Sequence, residues 1–154
     1  MNKENKKQMN WKNIIVAAAL IIAGCSSLPH TFVTTRADTG EWKVLEIREG
    51  LSNDKAWAIF VDTLSQKYDL EVIQKDGGYI RTAWKYTFID GDKISNRYRT
   101  RFVAKLSGSP VWNQAQLKCE SNWMEDEGWI SGYDSQLLKE MYGDIQGKIG
   151  RVRR

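Results

Sequence analysis

Histidine, cysteine and proline are scarce in this chain. One histidine, two cysteines and two prolines occur in 154 residues. The lone His30 cannot build a multi-histidine metal site, and its surroundings, CSSLPHTFVTTRADTG, bring no further ligand to it. Outside that stretch the commonest general base is missing. No serine, threonine or cysteine therefore has a credible base beside it. No glycine-rich phosphate loop is present either. Paired carboxylates stay open from sequence alone, although none is singled out. The acidic triplet Glu125-Asp126-Glu127 lacks the spaced ligands of a calcium loop and reads as a solvated turn. These absences speak against an enzyme, and no metal or cofactor is expected.

Long apolar runs are missing too. The N-terminus carries Lys3, Lys6, Lys7 and Lys12, and then the ten uncharged apolar residues Ile14–Ala23. A membrane-spanning helix needs about 20 such residues, so this run fits the apolar part of a signal peptide. The quartet Ile22-Ala23-Gly24-Cys25 follows and resembles a lipobox, the motif after which lipoprotein signal peptidase cuts. The resemblance implies that the Cys25 thiol receives a diacylglycerol and its freed amine a third acyl chain. Such chains hold a protein at about 0.8 kcal/mol per buried methylene. Ser26 and Ser27, with no aspartate in second place, point to the outer membrane by the enterobacterial sorting pattern. Residues 1–24 are read as the leader and 25–40 as a flexible tether, with a reach of roughly 50 Å.

Loss of the leader changes the charge. The leader holds four lysines and one glutamate, so the remaining chain has 19 basic and 18 acidic side chains, net +1. The basic character of the whole chain gives no argument for nucleic acid. With Cys25 acylated, Cys119 is left alone and no internal disulfide can form. The fold must rest on an apolar core, for which six tryptophans beyond the leader are a generous supply.

Residues 41–154 read as one domain. Glu41–Glu49 is a first strand, and Ser52 caps a helix over about 53–68 that carries Trp57, Phe60, Val61, Leu64 and Tyr68 at helical spacing. Strands follow over Leu70–Lys75, Tyr79–Phe88, Asn96–Leu106, Val111–Trp123 and Trp129–Tyr133. They are separated by Asp76-Gly77-Gly78, Asp90-Gly91-Asp92, Gly108-Ser109-Pro110 and an acidic turn. Leu138, Met141, Ile145 and Ile149 mark a last helix. Gly143, Gly147 and Gly150 lie on its other side and either weaken it or admit close approach by another chain. The class is α+β: an antiparallel sheet of five to six strands with two helices on one face, in the order β-α-β-β-β-β-α.

Two stretches, GGYIRTAWKYT and NRYRTRFVAKL, together with the lipobox and the strand and helix before them, resemble the helix-grip module of the BamC (NlpB) family of outer-membrane lipoproteins. Those proteins are accessories of the β-barrel assembly machinery. The likeness covers about residues 41–120 and the leader. This chain has room for one module where the family has two, and it has a short tether where the family has a long partner-binding segment. The resemblance implies a non-catalytic accessory or scaffold subunit of an outer-membrane complex, facing the periplasm, with an envelope protein as partner.

Strand alternation adds a surface to that expectation. Strict period two would put Ile80, Thr82, Trp84, Tyr86 and Phe88 on one face of the second hairpin strand, with Tyr98, Thr100, Phe102, Ala104 and Leu106 beside them. This aromatic set would pack under the helices. The opposite face would gather Arg81, Lys85, Arg97, Arg99, Arg101, Lys105 and Lys118 against Glu120, ready for an anionic surface or partner. It could equally be a solvated face whose arginine stems cover the sheet. The second functional reading is a carrier of an apolar ligand or lipid, in a cavity lined by Trp84, Tyr86, Phe88, Tyr98 and Phe102. Cys119 falls on the inner face and is expected to act as a small core hydrophobe.

Overall fold

The computed structural model describes residues 28–36 and 41–151. Residues 1–24, read above as a leader, and Cys25 lie outside that range, as do the last three residues. Two strands come first, β1 (Phe32–Thr34) and β2 (Lys43–Glu46), and then helix α1 (Asn53–Ser65). Strands β3 (Leu70–Gln74), β4 (Tyr79–Thr82) and β5 (Lys85–Tyr86) lead to a small hairpin, β6 (Ile89–Asp90) and β7 (Lys93–Ile94). The long strands β8 (Tyr98–Ser107) and β9 (Gln114–Glu125) and the shorter β10 (Gly128–Asp134) precede helix α2 (Ser135–Ile149). The class is the expected one, α+β with antiparallel strands. The main sheet runs β1-β10-β9-β8-β4-β3, with β2 on the first half of β9 and β5 on the first half of β8.

Both helices cover one face. Ala56, Phe60 and Leu64 of α1 and Leu138, Met141, Ile145 and Ile149 of α2 share one cluster with Ile80, Phe102, Ala104, Leu117 and Cys119 of the sheet. Each large apolar side chain buried there contributes about 1.5–3 kcal/mol. Ser52 caps α1, its hydroxyl accepting from Lys55 N at 3.4 Å. Asp134 caps α2, with Oδ1 accepting from Gln136 N and Leu137 N at 3.0 and 2.9 Å. The glycines of α2 do not end it early, and a Cβ at Gly143 or Gly147 would meet open space. Among the described residues no helix is long and apolar enough to cross a membrane.

Two expectations need correction. The stretch read as a free tether is docked where it is described. β1 pairs antiparallel with β10, Phe32 opposite Asp134, and both Pro29 and Phe32 are buried. Ser135 donates to Thr31 O from its backbone N at 2.9 Å and from its hydroxyl at 3.0 Å. Gly132 makes this possible, because a Cβ there would run into Val33 O and sit 2.6 Å from the Phe32 ring. A polar, aperiodic composition hid a strand of three residues whose partner lies a hundred positions away.

The second correction concerns alternation. The strand expected over Tyr79–Phe88 breaks at Ala83-Trp84. Arg81 pairs with Val103 and Lys85 with Thr100, so the first strand takes one more residue than the second to cover the same span. An extra residue of this kind is a β-bulge, and it reverses which side the next side chains face. Trp84 goes to the outer face and Lys85 to the helix side.

Candidate functional site

The outer face of β8, β9 and β10 carries a ladder of cations and indoles. The Arg99 guanidinium lies between two tryptophans, its Cζ 4.1 Å from the Trp129 ring centroid and 4.5 Å from that of Trp84. Arg101 lies on Trp84 as well, at 4.3 Å. Its Nε donates to Glu120 Oε2 at 2.6 Å, and Lys118 pairs with the other carboxylate oxygen of Glu120. Lys118 Nζ is 5.1 Å from the Trp42 centroid. The series Trp129, Arg99, Trp84, Arg101, Glu120, Lys118, Trp42 thus crosses the sheet, with three cations against one anion.

Polar contacts hold the ladder in place. Arg99 Nε donates to Asn122 Oδ1 at 3.3 Å, and Asn122 Nδ2 to Ser131 Oγ at 3.4 Å. Burial opposes the charge on Glu120, but the hydrogen bonds from Lys118 and Arg101 outweigh it and hold the carboxyl below its ordinary value. Beside the ladder lies a cleft of about 240 Å³ whose walls include Thr35, Trp84, Arg101, Glu120 and Ser131.

Of the seven cations expected on one face, the ladder takes Arg99, Arg101 and Lys118. Arg81 stays on that face but pairs with Glu71 at 3.0 Å. Lys105 is exposed at the far end of β8. Arg97 curls over the end of β9, donating to Met124 O through Nε and Nη2 at 3.1 and 2.8 Å, with Cζ 5.3 Å from the Trp123 ring. Lys85 is the exception on the helix side: it donates to Lys67 O at 2.6 Å and sits 5.3 Å over the Tyr68 ring. Trp42 and Trp129 were not foreseen in the site. Their signal was register: Ile130 pairs with the inward Trp123, which turns Trp129 outward.

The five aromatics expected to line one cavity are dispersed. Trp84 belongs to the ladder. Phe88 and Tyr98 join Phe32 and Trp123 in a second, smaller cluster. Phe102 packs edge-on to Tyr68 in the main core, with ring centroids 5.0 Å apart. Tyr86 is half-exposed. Only Tyr86 and Phe102 line the apolar groove of about 440 Å³, which also includes Tyr68, Ile89, Ile94 and Met141. It is an open groove at the end of the helices.

Cys119 is fully buried, opposite Phe102 in the sheet. Burial pushes its thiol up to about 12. His30 is exposed. Among the described residues, no three of histidine, cysteine, aspartate and glutamate gather as a metal site. Cys25, the residue expected to be acylated, lies outside the described residues.

No known protein family matches this chain, and no curated protein does.

Proposed function

We propose that this chain is a lipid-anchored, non-catalytic module of the bacterial envelope, and that it works by binding an outer-membrane protein assembly through its tryptophan–arginine face. The observation that carries the reading is the placement of Trp84 between Arg99 and Arg101 on the face away from the helices. Tryptophan and arginine are the residues most often responsible for binding energy at protein interfaces. Here their side chains are held by ring contacts and hydrogen bonds before any partner arrives, which lowers the ordering cost of binding. Three cations against one carboxylate favour an acidic partner. The lipobox supplies the address, and the BamC-like pattern supports an accessory role in β-barrel assembly.

The test is affinity purification of the native lipoprotein from envelopes, compared with a variant carrying Arg99→Gln and Arg101→Gln. The expected result is a defined envelope partner that the variant loses while it stays folded and still melts in one cooperative transition. An identical set of partners for both proteins would rule out the ladder as the contact surface.

A second reading rests on the apolar groove at Tyr86, Ile89 and Ile94, the place where a lipid ligand would lie. Mass spectrometry of organic extracts from purified protein tests it: a stoichiometric lipid besides the Cys25 acyl chains supports it, and its absence counts against it.

A further inference from the structure

Ile89 and Ile94 face each other across the β6–β7 hairpin and are each 65 % exposed. Two aliphatic side chains of that size, directly opposite and open to solvent, are not explained by the core. Tyr86, 44 % exposed, stands next to them. The hairpin is outside the main sheet and is rooted through Phe88, whose ring meets Tyr98 at 6.1 Å and Trp123 at 6.4 Å.

The N-terminal strand is seated on the same ring. Phe32 meets Tyr98 edge-on at 5.8 Å. The aromatic cluster thus joins the root of the hairpin to the start of the folded domain. Pro29, three positions before Phe32, is already buried, and Leu28 before it is 44 % exposed. Only Ser26, Ser27 and Leu28 separate Cys25 from Pro29. A chain spans at most about 3.6 Å per residue, so the Cys25 Cα lies within about 14 Å of the Pro29 Cα.

We infer that the β6–β7 hairpin is a membrane-contacting wedge, with Ile89 and Ile94 entering the lipid interface next to the acylated Cys25. This rests on the anchored reading above and goes beyond it. The leash is too short for the domain to hang free in the periplasm. The end of the domain that bears Pro29, Phe32 and the hairpin is held against the bilayer, and the apolar side chains exposed there are those a lipid surface would cover. Asp90, Asp92 and Lys93 share the hairpin and keep the contact shallow, at headgroup depth. The far end of the sheet points away. Val44 pairs with Gln116 on β9, whereas the aromatic cluster sits at Trp123, about 23 Å along the strand at about 3.3 Å per residue.

The experiment uses the full lipoprotein, expressed with its leader and reconstituted into vesicles of phosphatidylethanolamine and phosphatidylglycerol. Cys119 is buried and Cys25 acylated, so Ile94→Cys or Val44→Cys gives a single reactive thiol for an environment-sensitive fluorophore. The expected result is that the label at 94 is quenched severalfold by nitroxide lipids and shielded from aqueous iodide, with the reverse at 44. A label at 94 that iodide quenches as fully as the label at 44 overturns the wedge. A label at 94 protected from both quenchers also overturns it, since a ligand or protein then covers the groove. Acyl mass on Cys25, measured on the same sample, separates the two proposals. An acylated protein with a water-facing hairpin loses the wedge alone, whereas a bare Cys25 removes the anchor and the wedge together.

Discussion

Arg101 lies over the ring of Trp84, with its Cζ 4.3 Å from the centroid, although strict alternation would place the two on opposite faces of the sheet. The ladder exists because of that displacement. Without it Arg99 would keep Trp129 and Asn122, and Arg101 would keep Glu120.

A double-mutant cycle measures the contact. Trp84→Leu and Arg101→Gln should each destabilise the domain by about 1 kcal/mol, with a coupling of about 0.5–1 kcal/mol, the range for a partly exposed cation–π pair. Urea unfolding of the four proteins gives the coupling. Strict additivity would mean that the ring and the guanidinium are neighbours without energetic consequence.

The docked N-terminal segment is expected to act as part of the fold. Phe32→Ala should cost about 2–4 kcal/mol, because it opens a hole against Tyr98 and Trp123. Gly132→Ala should cost a similar amount by forcing β1 off β10, since the added methyl group has no room beside Phe32. A true tether would tolerate both changes. Thermal melts of the domain decide, and wild-type melting of both variants would show that residues 29–36 are dispensable.

Asp134 joins three parts of the chain. Its Oδ2 accepts from Tyr98 OH and from Thr31 Oγ1, each at 2.8 Å, while Oδ1 caps α2. Asp134→Ala removes the cap, at about 1 kcal/mol, and leaves the buried Tyr98 hydroxyl without this acceptor, at about 1–3 kcal/mol. A loss of about 2–4 kcal/mol in chemical denaturation is expected. Asp134→Asn, which keeps the cap oxygen, should lose clearly less.

Stability should fall in alkali. Burial pushes Cys119 from an ordinary 9.0 up to about 12 and Tyr68 from 10.0 up to about 12, and it raises Tyr98 as well. Between the unfolded and folded values the unfolded chain binds fewer protons than the native one. The stabilising effect is therefore complete below about pH 9 and is lost as pH rises toward about 12. The thiol alone predicts a loss of about 2–3 kcal/mol between about pH 8 and about pH 11. Comparing urea midpoints of wild type and Cys119→Ala across that range isolates it. Equal slopes would place the thiol in contact with water.

How far the sequence could be read follows from the range of each interaction. The helices carried their own periodicity and caps, so Ser52, Trp57, Phe60 and the series Leu138 to Ile149 were legible. The long strands β8 and β9 alternate without interruption, and the faces of Phe102, Arg99, Arg101 and Cys119 followed directly. Trp84 and Lys85 were misplaced because a bulge leaves no composition mark: Thr-Ala-Trp-Lys reads as unbroken strand, and only the pairing of Arg81 with Val103 and of Lys85 with Thr100 reveals the extra residue. Phe32 was missed because a three-residue strand has no period to detect. Trp42 and Trp129 needed the register of β9 with its neighbours, which is set by contacts far apart in the chain.

The break at Ala83-Trp84 makes pairing register there a determinant of surface identity. Deleting Ala83 would let Thr82, Trp84 and Lys85 meet Phe102, Arg101 and Thr100 in turn, so the strand would run unbroken and the indole would stay outside. Smoothing the strand with every residue kept would instead slide Lys85 opposite Arg99, swing the indole beneath the helices and exchange an aromatic platform for a bare charge.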